Sequence, residues 1–310
     1  GGPALVKAVV GEEISEEELG GSKIHTEVSG VADLEVENDE ACIEAIKEYL
    51  SYFPDHNAQP PPKKEATMDP LERLPDKVLS IVPDTPRQAY NMHKLIRTLV
   101  DDGTTFEMKP KWAKNIVTTF GRIGGYPVGI VANNPMHLGG ALDVNASDKA
   151  ARFIWLCDAF NIPLVFLADV PGFLVGSKVE REGIIRHGAK MLFAVSDATV
   201  PKLTVVVRKA YGAGYYVMCG RAYDPDLIVA WPTAEISVMG AEGMVGIAGA
   251  KLLAGAENPE KVRQQLVDTI QPMINIYKVG GWSYVDDIID PRETRKILFN
   301  GLEMTRNKTV

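Results

Sequence analysis

Residues 201–220 read PKLTVVVRKAYGAGYYVMCG, and the fold turns on how this stretch is divided. Leu203, Val205 and Val207 alternate with Thr204 and Val206, and a short β-branched run between a proline and a basic pair predicts a buried strand over 201–207. Gly212-Ala213-Gly214 then interrupts the pattern, and Tyr215, Tyr216, Val217 and Met218 restart it as a helix. The first N–H groups of a helix have no partner within the helix. Small side chains let a ligand reach them. Such donors can hold a developing oxyanion, which points to chemistry at a carbonyl. The same pattern also fits a strand-to-helix turn with no ligand.

Outward from this stretch the chain alternates strands and helices. Residues 117–120, 127–131 and 163–170 read as strands, with further short ones at 225–231 and 236–239. Helices are expected over 87–101, from a cap at Ser147 through Phe160, over 183–198 and over 258–276. Alternation of this length predicts β-α units with parallel strands. Ligand crevices in such sheets form outside the carboxyl ends of the strands. Two loops then leave neighbouring strand ends: 212–214, and 169–176 with the sequence DVPGFLVG. One N–H from each would make a two-donor hole, although Pro171-Gly172 also suits a plain structural turn. A third glycine loop, Val238-Met239-Gly240-Ala241-Glu242-Gly243, could add a wall, with Glu242 also readable as a first-turn helix acid.

The rest of the chain narrows the function by exclusion. Residues 1–53 hold 13 of the 41 acidic residues and 3 of the 33 basic ones, which argues against general nucleic-acid binding. Ser15 and Glu18 form a capping-box pattern closed by Gly20-Gly21, and Asn38 could cap a helix whose apolar face is Ala41, Cys42, Ala45, Ile46, Tyr49 and Leu50. Residues 54–86 contain eight of the 20 prolines, an extended connector. The expected division is therefore 1–53, a linker over 54–84, and a domain over 85–310. Cys42, Cys157 and Cys219 lie far apart, as in a reducing compartment. No run is long enough to span a membrane, and a soluble protein is expected. The five histidines are dispersed, with no metal-ligand spacing; GxSxG, HExxH and Walker patterns are absent. Gly212–Val217 mimics a dinucleotide loop only weakly, because the expected strand ends at Val207.

The series FGRIGGYPVGIVANNP (120–135), SDKAARFIWLCDAFNIPLVFLADVPGFLVG (147–176), GIIRHGAKMLFAVSDATVPKLTVVVRKAYGAGYYVMCGRAY (183–223) and WPTAEISVMGAEG (231–243) resembles the carboxyltransferase β subunit of biotin-dependent acyl-CoA carboxylases. Propionyl-, acetyl- and methylcrotonyl-CoA carboxylases belong there, with the related decarboxylase α subunits. GPALVKAVVGEEISEEELGG (2–21) resembles the end of that family's first domain. The resemblance implies an α/β crotonase-like (ClpP/crotonase) β-β-α superhelix. Here that would be the second, carboxybiotin-side domain with a remnant of the first at 1–53. It implies transfer of CO2 from carboxybiotin to the α carbon of a short-chain acyl-CoA through backbone oxyanion holes. Ala213 and Gly214 match the backbone donors to the biotin ureido oxygen. Tyr216 matches a position lining the acyl pocket, where some propionyl enzymes carry an acidic or small residue. Pro171, Gly172 and Phe173 fit the neighbouring loop, with Gly212, Gly240, Ala241 and Glu242 as further binding residues and no metal. Implied partners are a biotin carboxylase, a biotin carboxyl carrier subunit and further copies of the subunit, as a dimer within a hexamer. Implied location is the cytoplasm, or the mitochondrial matrix in a eukaryote. A glutaconyl- or methylmalonyl-CoA type decarboxylase α subunit, which would act at a membrane, is the alternative enzyme; a non-catalytic assembly fragment is the third possibility. The family's first domain would precede Gly1 by roughly two hundred residues. The 310 residues alone are therefore expected to turn over little substrate.

Overall fold

A computed structural model describes residues 1–65 and 76–308; residues 66–75 of the expected linker lie outside the described residues. The strands are β1 (Phe106–Met108), β2 (Ile116–Ile123), β3 (Tyr126–Asn133), β4 (Leu164–Val170), β5 (Lys202–Tyr211), β6 (Leu227–Ala230), β7 (Glu235–Ser237) and β8 (Asp287–Ile288). They form one sheet in the order β1-β2-β3-β4-β5-β6-β8, with β7 also paired to β5. β1, β2 and β3 are antiparallel, and every pair from β3 onward is parallel. The β2–β3 turn is Gly124-Gly125, with φ of 58° and 83°. Left-handed backbone at both turn positions matches the twist of the flanking strands.

Alternation along the central strands sends side chains to two cores. In β4, Leu164, Phe166 and Ala168 face one side, and Val165 and Leu167 the other. The first side packs under the helices Val144–Ala159 and Ile184–Asp197, through Phe153, Ile154, Cys157, Met191 and Val195. The second side receives Leu203, Val205 and Val207 of β5. It is covered by Leu95 and Leu99 of the helix Met92–Leu99 and by Leu298 and Leu302 of the helix Thr294–Thr305. Both faces are buried, which is why the parallel strands read as nearly continuous apolar runs.

Two expectations need correction. The Val144–Ala159 helix is capped by Asp143, whose carboxylate accepts from the Ala146 amide at 2.8 Å; Ser147 sits inside the first turn and its hydroxyl donates to the Asp143 carbonyl. The helix therefore begins one turn early, because Asp143 offers a better acceptor to the free amides. Strand β5 does not stop at Val207 but continues through Arg208, Lys209 and Ala210 to Tyr211. The basic pair ends the apolar run without ending the strand, since both side chains find partners inside the protein.

At the start of the chain the Ser15–Glu18 capping box and the Asn38 cap form as expected. Of the apolar face expected on the helix Asp39–Leu50, Ala45 and Tyr49 pack on the core, whereas Ile46 and Leu50 are exposed. That helix touches the body along one edge, reinforced by Tyr52 and Phe53 against Phe120. Among the described residues no helix is long and apolar enough to cross a membrane.

Candidate active site

Three glycine loops meet at the end of β5. Strand β5 runs directly into the short helix Gly212–Val217, whose start has no side-chain cap. Gly212 has φ of 55°, and a Cβ there would stand 3.0 Å from the Val238 carbonyl, so the 238–243 loop lies against it. A Cβ on Gly214 would stand 2.8 Å from Val170 Cγ2 and 3.0 Å from Gly172 Cα. No residue larger than glycine fits between the helix start and the loop after β4 without a shift. The 170–174 segment is itself held by backbone bonds to Leu142, at 3.1 Å from Leu142 N to the Gly172 carbonyl and 2.8 Å from Leu174 N to the Leu142 carbonyl. The two strand-end loops are in contact.

Two cavities flank this junction. Ala213, Phe173, Leu174, Val175, Ile185 and Leu192 line an apolar one of about 300 Å³. A Cβ on Gly188 would stand 2.9 Å from the Phe173 ring, so the aromatic lies tightly on the Ile184–Asp197 helix. The other, of about 1000 Å³, is lined by Pro171, Gly240, Ala241 and Glu242 together with Arg87, Lys209, Tyr211 and Glu235. Glu242 stands in the first turn of the helix Ala241–Ala248 and pairs with Arg87 across the rim. Tyr216 is placed elsewhere. It is 43% exposed and lines a third cavity, of about 480 Å³, with Ser196, Lys202, Tyr223 and Asp224. Ala213, Gly214, Gly212, Pro171, Gly172, Phe173, Gly240, Ala241 and Glu242 are thus brought together, and Tyr216 faces a neighbouring cavity one helical turn away.

Side chains that sequence reasoning passed over form the floor of the site. Asp169, at the end of β4, is fully buried and accepts from Arg208 Nε at 2.9 Å. Arg208 also donates to the carbonyls of Thr85 at 3.0 Å and Gln88 at 2.9 Å, and lies 4.7 Å from the Tyr90 ring centre. Burial, with the Asp169 charge beside it, pushes the Tyr90 hydroxyl well above its ordinary pKa. Tyr211 donates to Glu235, which accepts from Gln271 Nε2 at 2.6 Å on its other oxygen. Burial and that carboxylate hold the Tyr211 proton firmly, with the pKa raised. An aspartate one residue past an apolar run and a basic pair inside a strand were the available signals. The titratable groups nearest the glycines are therefore engaged with one another, and the chemistry left at the junction is that of backbone amides.

The sheet, its two helical layers and the amide donors at a strand-to-helix turn define a crotonase-like fold. The chain belongs to the carboxyl transferase domain family, which it matches over residues 1–310. It is 46% identical over 308 residues, 99% of its length, to the carboxyltransferase subunit of propionyl-CoA carboxylase from Haloferax mediterranei. It is 43% identical over 311 residues, again 99% of its length, to the methylmalonyl-CoA decarboxylase α subunit of Propionigenium modestum. The chain spans 60% of the length of both relatives. Among solved structures it superposes with a TM-score of 0.94 and 44% identity on a transcarboxylase 12S hexamer component with methylmalonyl-CoA and methylmalonic acid bound, covering 100% of this chain and 59% of that one.

Proposed function

We propose that this chain is part of the carboxyltransferase component of a biotin-dependent acyl-CoA carboxylase, and that it carries the carboxybiotin half of the site. The supporting observation is the convergence at Gly214, where Val170 and Gly172 leave room for glycine alone beside uncapped helix-start amides. The N–H groups of Ala213 and Gly214 would donate to the ureido oxygen of biotin. Phe173 and the apolar cavity beside Ala213 would cover the ring system and exclude water, which strengthens those hydrogen bonds. Bound there, carboxybiotin supplies an activated carboxyl group for the α carbon of a short-chain acyl-CoA. Pro171, Gly172 and Gly212 hold the donors in register, and Gly240, Ala241 and Glu242 form the wall opposite, pinned by Arg87. Tyr216, from its separate cavity, is assigned to acyl selection. The names and titles of the relatives support further copies of the subunit as partners, with a biotin carboxylase and a biotin carrier completing the system. Three unpaired cysteines support a reducing, cytoplasm-like location.

The test uses the full subunit with carboxylated biotin and a panel of acyl-CoAs. Gly214→Ala should lower kcat about 10²-fold, the loss of one oxyanion donor, with little change in KM. A wild-type rate in that variant overturns the assignment of the donors. Tyr216→Ala should shift preference toward bulkier acyl groups without abolishing transfer. The decarboxylase relatives, at 43% and 44% identity, favour a second reading in which transfer runs from a carboxylated acyl-CoA to biotin. Assays in both directions, with and without an ATP-charged biotin carboxylase, separate the two.

A further inference from the structure

Strand β5 carries a bulge at the point where the site begins. Its register against β4 is regular from Leu164↔Lys202 to Ala168↔Val206, and then jumps to Val170↔Ala210. Asp169 alone therefore faces three residues, Val207, Arg208 and Lys209. On its other edge β5 changes partner over the same residues, from β6 (up to Val206↔Ala230) to β7 (from Lys209↔Glu235). A bulge leaves ladder groups without strand partners, and here side chains replace them. The Lys209 amide donates to Asp169 Oδ1 at 3.2 Å, and the Val207 carbonyl accepts from the Thr233 hydroxyl at 2.7 Å. The second Asp169 oxygen takes Arg208 Nε and Nη2, both at 2.9 Å. The Asp169 amide in turn donates to Asn133 Oδ1 at 3.1 Å, fixing it to the end of β3.

The two inserted residues decide where the helix start falls. At about 3.3 Å per residue, an unbulged β5 would carry Gly212-Ala213-Gly214 about 7 Å farther past Val170. The contact of Gly214 with Val170 and Gly172 would then be lost. We propose that Asp169 and Arg208 are positioning residues: their buried pair holds the β5 bulge closed and so sets the Ala213 and Gly214 amides against the loop at Pro171-Gly172-Phe173. Arg208 extends the same control to the rim, because its carbonyl partners Thr85 and Gln88 flank Arg87, which lines the large cavity. A buried ion pair adds little net stability, so its place here is best read in geometry. The catalytic part of this inference rests on the function proposed above; the positioning part does not.

The decisive variants are Arg208→Lys, which keeps the charge and loses the planar fork, and Asp169→Glu, which moves the carboxylate by one methylene. In the intact carboxyltransferase, each should lower kcat at least tenfold while KM for acyl-CoA stays within about twofold, since a displaced donor is felt mainly in the transition state. Hydrogen–deuterium exchange should quicken over 209–217 and stay unchanged over 164–168 and 202–206. Folded variants with wild-type kcat and wild-type exchange over 209–217 overturn the proposal. Should neither variant fold, the wild-type protein decides: the proposal requires 209–217 to be protected as strongly as 202–206, and faster exchange there overturns it. A wild-type enzyme that transfers no carboxyl group overturns the functional reading alone, because exchange reports the positioning directly.

Discussion

At the scale of single residues, burial determines which groups react. Cys42 is exposed, whereas Cys157 and Cys219 are buried. Burial raises both buried thiols, that of Cys219 from its ordinary 9.0 up to about 12. Alkylation of the native protein near pH 8 should therefore modify one thiol per chain, and all three only after unfolding; two or more native equivalents would contradict the placement of Cys157 or Cys219. The same shift makes stability depend on pH. A thiol whose folded pKa exceeds its unfolded one favours folding while it stays protonated, and the advantage is lost as pH climbs from 9 toward 12. Between pH 8 and 10 this group alone should cost the native state about 1 kcal/mol. Denaturation of the protein and of Cys219→Ala at both values should show their stability gap narrowing by about that amount at pH 10. Glycine works in the opposite direction, by leaving room. Gly214 was legible as a small residue before a helix, but the reason for it, a contact with Val170 and Gly172, needed the fold.

Elements are joined by buried carboxylates, each saturated with donors. Asp101 accepts from the amides of Gly124 at 2.9 Å and Gly125 at 2.8 Å and from Arg295 at 2.5 Å. One aspartate thus clamps the β2–β3 turn to the helix Thr294–Thr305, almost 200 residues away in sequence. Asp101→Asn leaves the Arg295 guanidinium buried without its counter-charge. It should cost about 3–5 kcal/mol, read as a lower urea midpoint at unchanged slope. A loss below 1 kcal/mol would show that this clamp is not built as described. Strand and helix identities were largely readable, because apolar periodicity survives in isolated stretches. Element ends were not. Asp143 took the cap expected of Ser147, and β5 ran four residues past the apolar run, because the partners that settle both ends come from outside the local window.

Across the whole molecule, one arginine binds the start of the chain to the sheet. Arg122, 1% exposed, donates to the carbonyls of Ser51 at 2.7 Å, Pro62 at 2.8 Å and Gly125 at 3.1 Å, with its guanidinium 5.0 Å from the Tyr52 ring centre. Replacing it should release residues 51–65 before the sheet melts. Arg122→Met is expected to quicken limited proteolysis between residues 54 and 65 by tenfold or more, with far-ultraviolet circular dichroism retained; an unchanged cleavage rate would assign the anchoring to the aromatic contacts of Tyr52 and Phe53 instead. The sequence by itself determined the alternating α/β class, the two glycine loops at strand ends and the family likeness, because hydrophobic period and turn chemistry are local properties. Tertiary structure alone decided that these loops touch at Gly214, that Tyr216 opens onto a different cavity, and that Asp169 and Arg208 hold the β5 bulge beneath the donors. Those outcomes depend on register and burial between segments some forty residues apart, and contacts at that range follow from how the sheet packs, which no local window contains.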